Sequence, residues 1–147
     1  IDDPKNYDEV VFCGFGEPTL RLDVIKEVAK KIKDSGGRVR LNTNGHGNVI
    51  NKRNILPELS GLIDEVSVSL NADSSEAYDE ICNPLPKFRN GIYDKIKEFI
   101  EEAKKHIPEV QASIVTHQKD VDEAQCETIV KENFGVKYRA RRYNIVG

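Results

Sequence analysis

Methionine and tryptophan are both absent from the 147 residues, and only three cysteines occur, Cys13, Cys82 and Cys126. Three thiols so far apart exclude a disulfide scaffold and a self-contained zinc site of short spacing. No apolar run approaches the ~18 residues that would span a bilayer. Charge of neither sign dominates: the net charge is −3 with acidic and basic residues interspersed, so the broad basic footprint of a nucleic-acid binder is missing. Residues 1–4 have neither the positive start nor the apolar stretch of a signal peptide. These absences point to a cytoplasmic protein with no membrane partner. The lack of methionine, with a strand pattern almost at the first residue, reads as a piece of a longer protein. A chain of this length is expected to form one domain, residues 1–147, and to bury roughly 70% of its unfolded surface.

What is present is an alternation. Residues 9–15 hold the apolar run Val10-Val11-Phe12-Cys13, which suits a strand buried on both faces. Leu22, Val24, Ile25, Val28, Ala29 and Ile32 then recur at helical spacing, with Pro18 near the helix start and Gly36-Gly37 at its end. A strand is predicted over 38–43, a flexible Asn44-Gly45/Gly47 loop after it, and a short helix over 50–59 that Pro57 interrupts. Strand 65–71 precedes a short helix capped by Ser74 or Ser75. A long helix follows, with Ile92, Ile96, Phe99, Ile100 and Ala103 on one face. Strand 110–116, helix 122–133 closed by Gly135, and an arginine-rich strand 136–145 complete the chain. Strand and helix in strict turn predict a parallel sheet with right-handed crossovers. A doubly wound sheet, a complete barrel and a partial barrel all satisfy that pattern. In each, ligands bind at the carboxyl ends of the strands.

That rule selects the candidate residues. Gly14-Phe15-Gly16-Glu17-Pro18-Thr19 follows the first strand. Its two glycines let backbone approach a ligand closely, Glu17 supplies a carboxylate for an ammonium group, and Pro18 stiffens the turn. A pyrophosphate loop does not fit, because Thr19 replaces the third glycine and Glu17 would repel phosphate. At the ends of later strands stand Asn42 and Asn44, then Ser67, Ser69 and Asn71, then Thr116 and His117, then Tyr143 and Asn144. Serine and asparagine inside apolar strands are costly unless hydrogen-bonded. Ser69 and Asn71 share a face, as do Asn42 and Asn44, and together they suit hydroxyls, an amine and a carboxylate.

These segments, Gly-X-Gly-Glu-Pro-Thr, then Leu41-Asn42-Thr43-Asn44-Gly45, then Val66-Ser67-Val68-Ser69-Leu70-Asn71, resemble the radical S-adenosylmethionine (SAM) superfamily in order and spacing. The likeness is specific over residues 9–71. Beyond them it rests on strand order and on Arg142-Tyr143-Asn144-Ile145-Val146-Gly147, similar to the last barrel strand of activase-like members. The subset associated with TatD-type nucleases is similar too. The resemblance implies an incomplete TIM-like β/α barrel, α/β in class, with this chain supplying strands two to six of six. It implies that Gly14, Phe15, Gly16 and Glu17 bind the methionyl amine of SAM, and that Asn42, Ser69 and Asn71 bind ribose and carboxylate. Asn44 would shape the loop beside them and Asn144 would face the cofactor. The intact enzyme would cleave SAM reductively at a [4Fe-4S] cluster to a 5′-deoxyadenosyl radical and act on an unidentified substrate.

Two departures stand out. Phe15 occupies a position that is glycine in the common Gly-Gly-Glu-Pro form, with Gly14 before it. More serious, the family's Cys-x3-Cys-x2-Cys motif is missing, and Cys13, Cys82 and Cys126 cannot substitute for its spacing. The chain alone is therefore expected to carry no cluster and no activity, and no catalytic residue is assigned. A metal-free nucleotide-binding α/β enzyme and a non-enzymatic truncated barrel remain open, the latter associating through an open sheet edge.

Simpler roles stand beside these. The glycine segment also reads as a tight turn, Ser67, Ser69 and Asn71 as satisfied polar residues of a strand, and His117 as a surface histidine. His46 lies in the flexible loop and receives no role. Cys13 reads as a small core residue, and Cys82 as a thiol in a Pro-flanked loop. Arg139, Arg141 and Arg142 suit a substrate carboxylate or phosphate, or equally an exposed edge strand.

Overall fold

The computed structural model describes residues 9–12, 17–82, 86, 91–115 and 122–141. Five strands form one wholly parallel sheet: β1 (Val10–Phe12), β2 (Val39–Thr43), β3 (Glu65–Ser69), β4 (Glu109–Val115) and β5 (Lys137–Arg141). Their order in space is their order in sequence. A doubly wound sheet reverses its strand order at a switch point, and this sheet does not. Singly wound parallel strands with helices between them are the arrangement of a β/α barrel, here a partial one.

The helices follow from local sequence. Pro18 opens a 3-10 turn, Pro18–Arg21, which runs into α1 (Leu22–Asp34). Leu22, Ile25, Ala29 and Ile32 are buried on one stripe, Val24 is exposed, and Gly36 leaves the helix at φ +83°. The predicted helix over 50–59 is instead two: α2 (Gly47–Asn51) and α3 (Leu56–Leu59). Lys52, left-handed at φ 56°, ends the first, and Pro57 sits in the first turn of the second, where its missing N–H costs nothing. Helix α4 (Ser75–Cys82) starts behind Ser74, whose Oγ accepts the Ala77 N–H at 3.2 Å. Helix α5 (Ile92–His106) buries Ile92, Tyr93, Ile96, Phe99, Ile100 and Ala103. Each large apolar side chain among them contributes about 1.5–3 kcal/mol relative to exposure. Helix α6 (Glu123–Thr128), capped by Asp122, widens into a π-helical turn, Ile129–Phe134, before Gly135 at φ 67°.

One face of the sheet meets these helices. Val39, Leu41, Val66, Val68, Val110 and Ala112 pack there with Val10, Phe12 and Tyr138 at its edges. All three β1 residues are only half-buried, against the expectation of a strand covered on both faces. In the described sheet β1 has one neighbour, so its outer side lacks the packing an interior strand would have. Strands β2 and β3 alternate instead, because the face away from the helices is polar. No helix among the described residues is long and apolar enough to cross a membrane.

Candidate functional site

Glu17 emerges from the β1 end of the sheet with extended backbone (φ −85°, ψ 117°) and caps the 3-10 turn that Pro18 begins. Its Oε2 accepts the Thr19 N–H at 3.1 Å and the Thr19 hydroxyl as well. Oε2 also accepts the Thr43 hydroxyl at 2.6 Å, and Oε1 accepts the Asn44 N–H at 2.7 Å. The carboxylate therefore ties the segment after β1 to the carboxyl end of β2. A carboxylate offers roughly four lone-pair sites, two on each oxygen; three donors converge on Oε2 and one on Oε1, so Oε1 keeps an open acceptor position among the described residues. Charge-assisted bonds of this kind are the stronger class. Thr19 and Thr43 are both buried, at 0% and 3% exposure, so water does not compete at their hydroxyls. Sequence reasoning aimed Glu17 outward at an ammonium ion. Its negative charge remains available for that, while its acceptor sites hold the rim together.

The loop after β2 is built, not slack. The Thr43 hydroxyl accepts the Gly45 N–H at 3.1 Å, and Asn44 Oδ1 accepts the His46 N–H at 2.9 Å. Gly45 has φ +82°, and a Cβ there would lie 3.0 Å from Ile96 Cγ2. At Gly47 a Cβ would fall 2.7 Å from Ile55 Cδ1 and 3.1 Å from Thr19 Oγ1. Both glycines thus let α2 close onto Thr19 and the core, which corrects the expectation of a flexible loop. His46, given no role from sequence, is half-buried, and its Nε2 lies 2.9 Å from the Tyr78 hydroxyl. Burial holds the imidazole below its ordinary pKa, with the Glu17 charge opposing that shift. The signal for this was present: a histidine between glycines two apart is hemmed in by close backbone approach.

The remaining candidates follow strand register. Asn42 lies beside Ser67, Ser67 beside Gln111, and Gln111 beside Lys137; the next row is Ser69, Ser113 and Arg139. All these positions alternate with the core residues and so share the polar face. Gln111 Nε2 donates to Ser67 Oγ at 3.1 Å across the strands. Asn42 Oδ1 is buried with no hydrogen-bond partner among the described residues, so one acceptor on this face stands unfilled. Asn71 takes the left-handed conformation at φ 62°, and the N–H groups of Leu70 and Asn71 both donate to Ser113 O, at 2.9 and 3.2 Å. The structure thus brings Glu17, Asn42, Asn44, Ser69 and Asn71 to the carboxyl end of one sheet. Gly14, Phe15, Gly16 and Asn144 lie outside the described residues, as do Cys13, Thr116, His117 and Tyr143. Thr19, Thr43, Gln111 and Ser113 were missed. The polar residues Gln111 and Ser113, two apart inside an apolar strand, carried the same signal as Ser67 and Ser69.

A thiolate-bound cluster does not fit these residues. Cys126 is fully buried, and burial, together with the charges of Asp73, Asp122 and Glu123, pushes its thiol up to about 12, far from thiolate character. No group of three His, Cys, Asp or Glu side chains suited to a metal occurs among the described residues.

No curated protein matches the chain. The family model described as the Radical SAM superfamily matches residues 2–130, most of the 147. With a singly wound parallel sheet and the Glu17 carboxylate bonded to the carboxyl end of β2, the chain belongs to the radical SAM superfamily.

Proposed function

We propose that residues 1–147 form one partial barrel domain, the SAM-binding part of a radical SAM enzyme. The carrying observation is the Glu17–Asn44 bond, which fastens Glu17 beside the amide- and hydroxyl-bearing strand ends. In this reading, backbone of Gly14, Phe15 and Gly16 with the Glu17 charge holds the methionyl ammonium. Asn42, Ser69 and Asn71 take ribose and carboxylate, Asn44 fixes the loop, and Asn144 lines the cofactor. Asn42 Oδ1, buried and unfilled, is a ready acceptor for a ribose hydroxyl.

The intact enzyme would reduce SAM at a [4Fe-4S] cluster to methionine and a 5′-deoxyadenosyl radical. The three cysteines of this chain do not have the spacing to hold that cluster, so its ligands would come from other residues. The part played by this chain is placement, while the cofactor carries the difficult chemistry.

Isothermal titration of the chain with SAM tests the reading, with ATP as competitor. Saturable SAM binding that ATP does not displace, weakened about tenfold or more in Glu17→Gln, supports it. A chain that binds ATP in preference to SAM, or neither, overturns it.

A further inference from the structure

The polar face of the sheet is layered, and its charges are sorted. Its lowest tier holds Arg40, Glu65 and Glu109 in register beside Val11. Both carboxylates are neutralised there: Arg38 Nη2 lies 3.5 Å from Glu65 and 3.1 Å from Glu109, and Lys137 Nζ lies 3.1 Å from Glu109. The middle tier is Asn42, Ser67 and Gln111, and the upper tier is Ser69, Ser113 and Arg139. Tyr138 packs on the core, so alternation turns Arg139 onto the polar face with Ser113. Among the described residues, the two upper tiers hold no carboxylate. Arg139 is exposed there and makes no ion pair or hydrogen bond among them, while Lys137, two residues earlier on the same strand, is paired.

An unpaired guanidinium beside hydroxyls and an amide, on upper strand tiers that hold no carboxylate of their own among the described residues, has one evident complement. We propose that Arg139, with Ser113 and Gln111 beside it, forms a recognition subsite for an anionic oxygen group of the substrate, a carboxylate or phosphate. The planar fork of arginine donates two parallel bonds to either group, and the neighbouring hydroxyl and amide supply further donors. That the group belongs to a substrate rests on the SAM reading above, which places the cofactor against Ser69 in the same tier.

Arg21 supplies an internal control, since it is also exposed and lies on the outer 3-10 turn. In the 15N-labelled full chain, the Nε–Hε signals of Arg139 and Arg21 are followed as inorganic phosphate is added at constant ionic strength, then acetate. A saturable shift of Arg139 with either anion, at least about fivefold tighter than at Arg21 and weakened in Gln111→Leu, supports the subsite. Equal, non-saturating shifts at both arginines overturn it. SAM titration of Arg139→Gln separates cofactor from substrate. Affinity within about twofold of the parent supports the proposal, and a tenfold loss assigns Arg139 to SAM itself and overturns it. A parent chain that ignores SAM while Arg139 still outcompetes Arg21 defeats the cofactor reading and leaves the anion subsite standing.

Discussion

Thr43 and Glu17, 26 residues apart in sequence, are joined by a 2.6 Å bond from hydroxyl to carboxylate, and the same hydroxyl accepts the Gly45 N–H. One buried oxygen thus serves the turn after β1 and the loop after β2 together. Thr43→Val keeps the shape and removes both bonds. It leaves the Gly45 N–H and one carboxylate lone pair without their partner, at an expected cost of about 1–3 kcal/mol in urea unfolding. Thr43→Ser restores the hydroxyl and is expected to recover most of that stability. Equal stability of the valine and parent proteins would show that water replaces the bond.

Gly36 and Gly45 give a matched pair for separating strain from crowding. Their φ values are nearly the same, +83° and +82°, but a Cβ meets nothing within 4 Å at Gly36 and Ile96 at 3.0 Å at Gly45. Gly36→Ala is expected to cost about 1 kcal/mol, the left-handed penalty alone. Gly45→Ala adds overpacking against a buried isoleucine, about 1–3 kcal/mol more. Chemical denaturation of both variants measures the difference directly, and indistinguishable midpoints would mean that Ile96 moves aside freely.

The amino rim offers a third measurement, remote from the proposed ligand. Arg38 spans Glu9 at 3.0 Å, Glu65 and Glu109, and so links three strands at their starts. Glu65 is 8% exposed, and without Arg38 it would lose that partner. Because Arg38 itself is partly exposed, the loss in Arg38→Gln is expected to be modest, about 0.2–1 kcal/mol, and to shrink in high salt. SAM affinity should be unchanged. A variant as stable as the parent at low salt would remove any structural role for the network.

Much of this architecture is legible in the sequence, and the illegible parts have physical causes. Alternation of the apolar runs gave the parallel sheet, since each period reports only on its own element. It left barrel and doubly wound forms undecided, because strand order depends on which crossovers pack together. The break between α2 and α3 is not where the pattern puts it: Pro57 reads as an interruption, but it starts a helix, and the true stop is Lys52 in a left-handed conformation. The Glu17 bonds were hidden for another reason. A carboxylate beside a glycine turn signals a ligand or a cap equally well, and the choice is made by Thr43, whose hydroxyl comes within reach only once β1 and β2 pair. His46 is hard to place from sequence because flanking glycines suggest freedom there and close approach in a packed fold.

His46 gives the pH prediction. Burial lowers its pKa in the folded chain, whereas in the unfolded chain it titrates near 6.5. Between those two values the unfolded state binds more protons than the folded state, so stability rises with pH across that window. Seen from the other side, the full contribution is present above about pH 6.5, falls as pH drops toward the folded-state value, and is constant below it. The Glu17 charge pulls the other way, so Glu17→Gln should lower the folded pKa further and extend the window downward. Urea midpoints taken from pH 8 to pH 5 in the parent and in His46→Gln isolate the term. The glutamine amide replaces the ring nitrogen facing Tyr78 without titrating, so the slope attributable to residue 46 should vanish. Parallel profiles for the two proteins would show that the imidazole is as free to take up a proton in the fold as in the open chain.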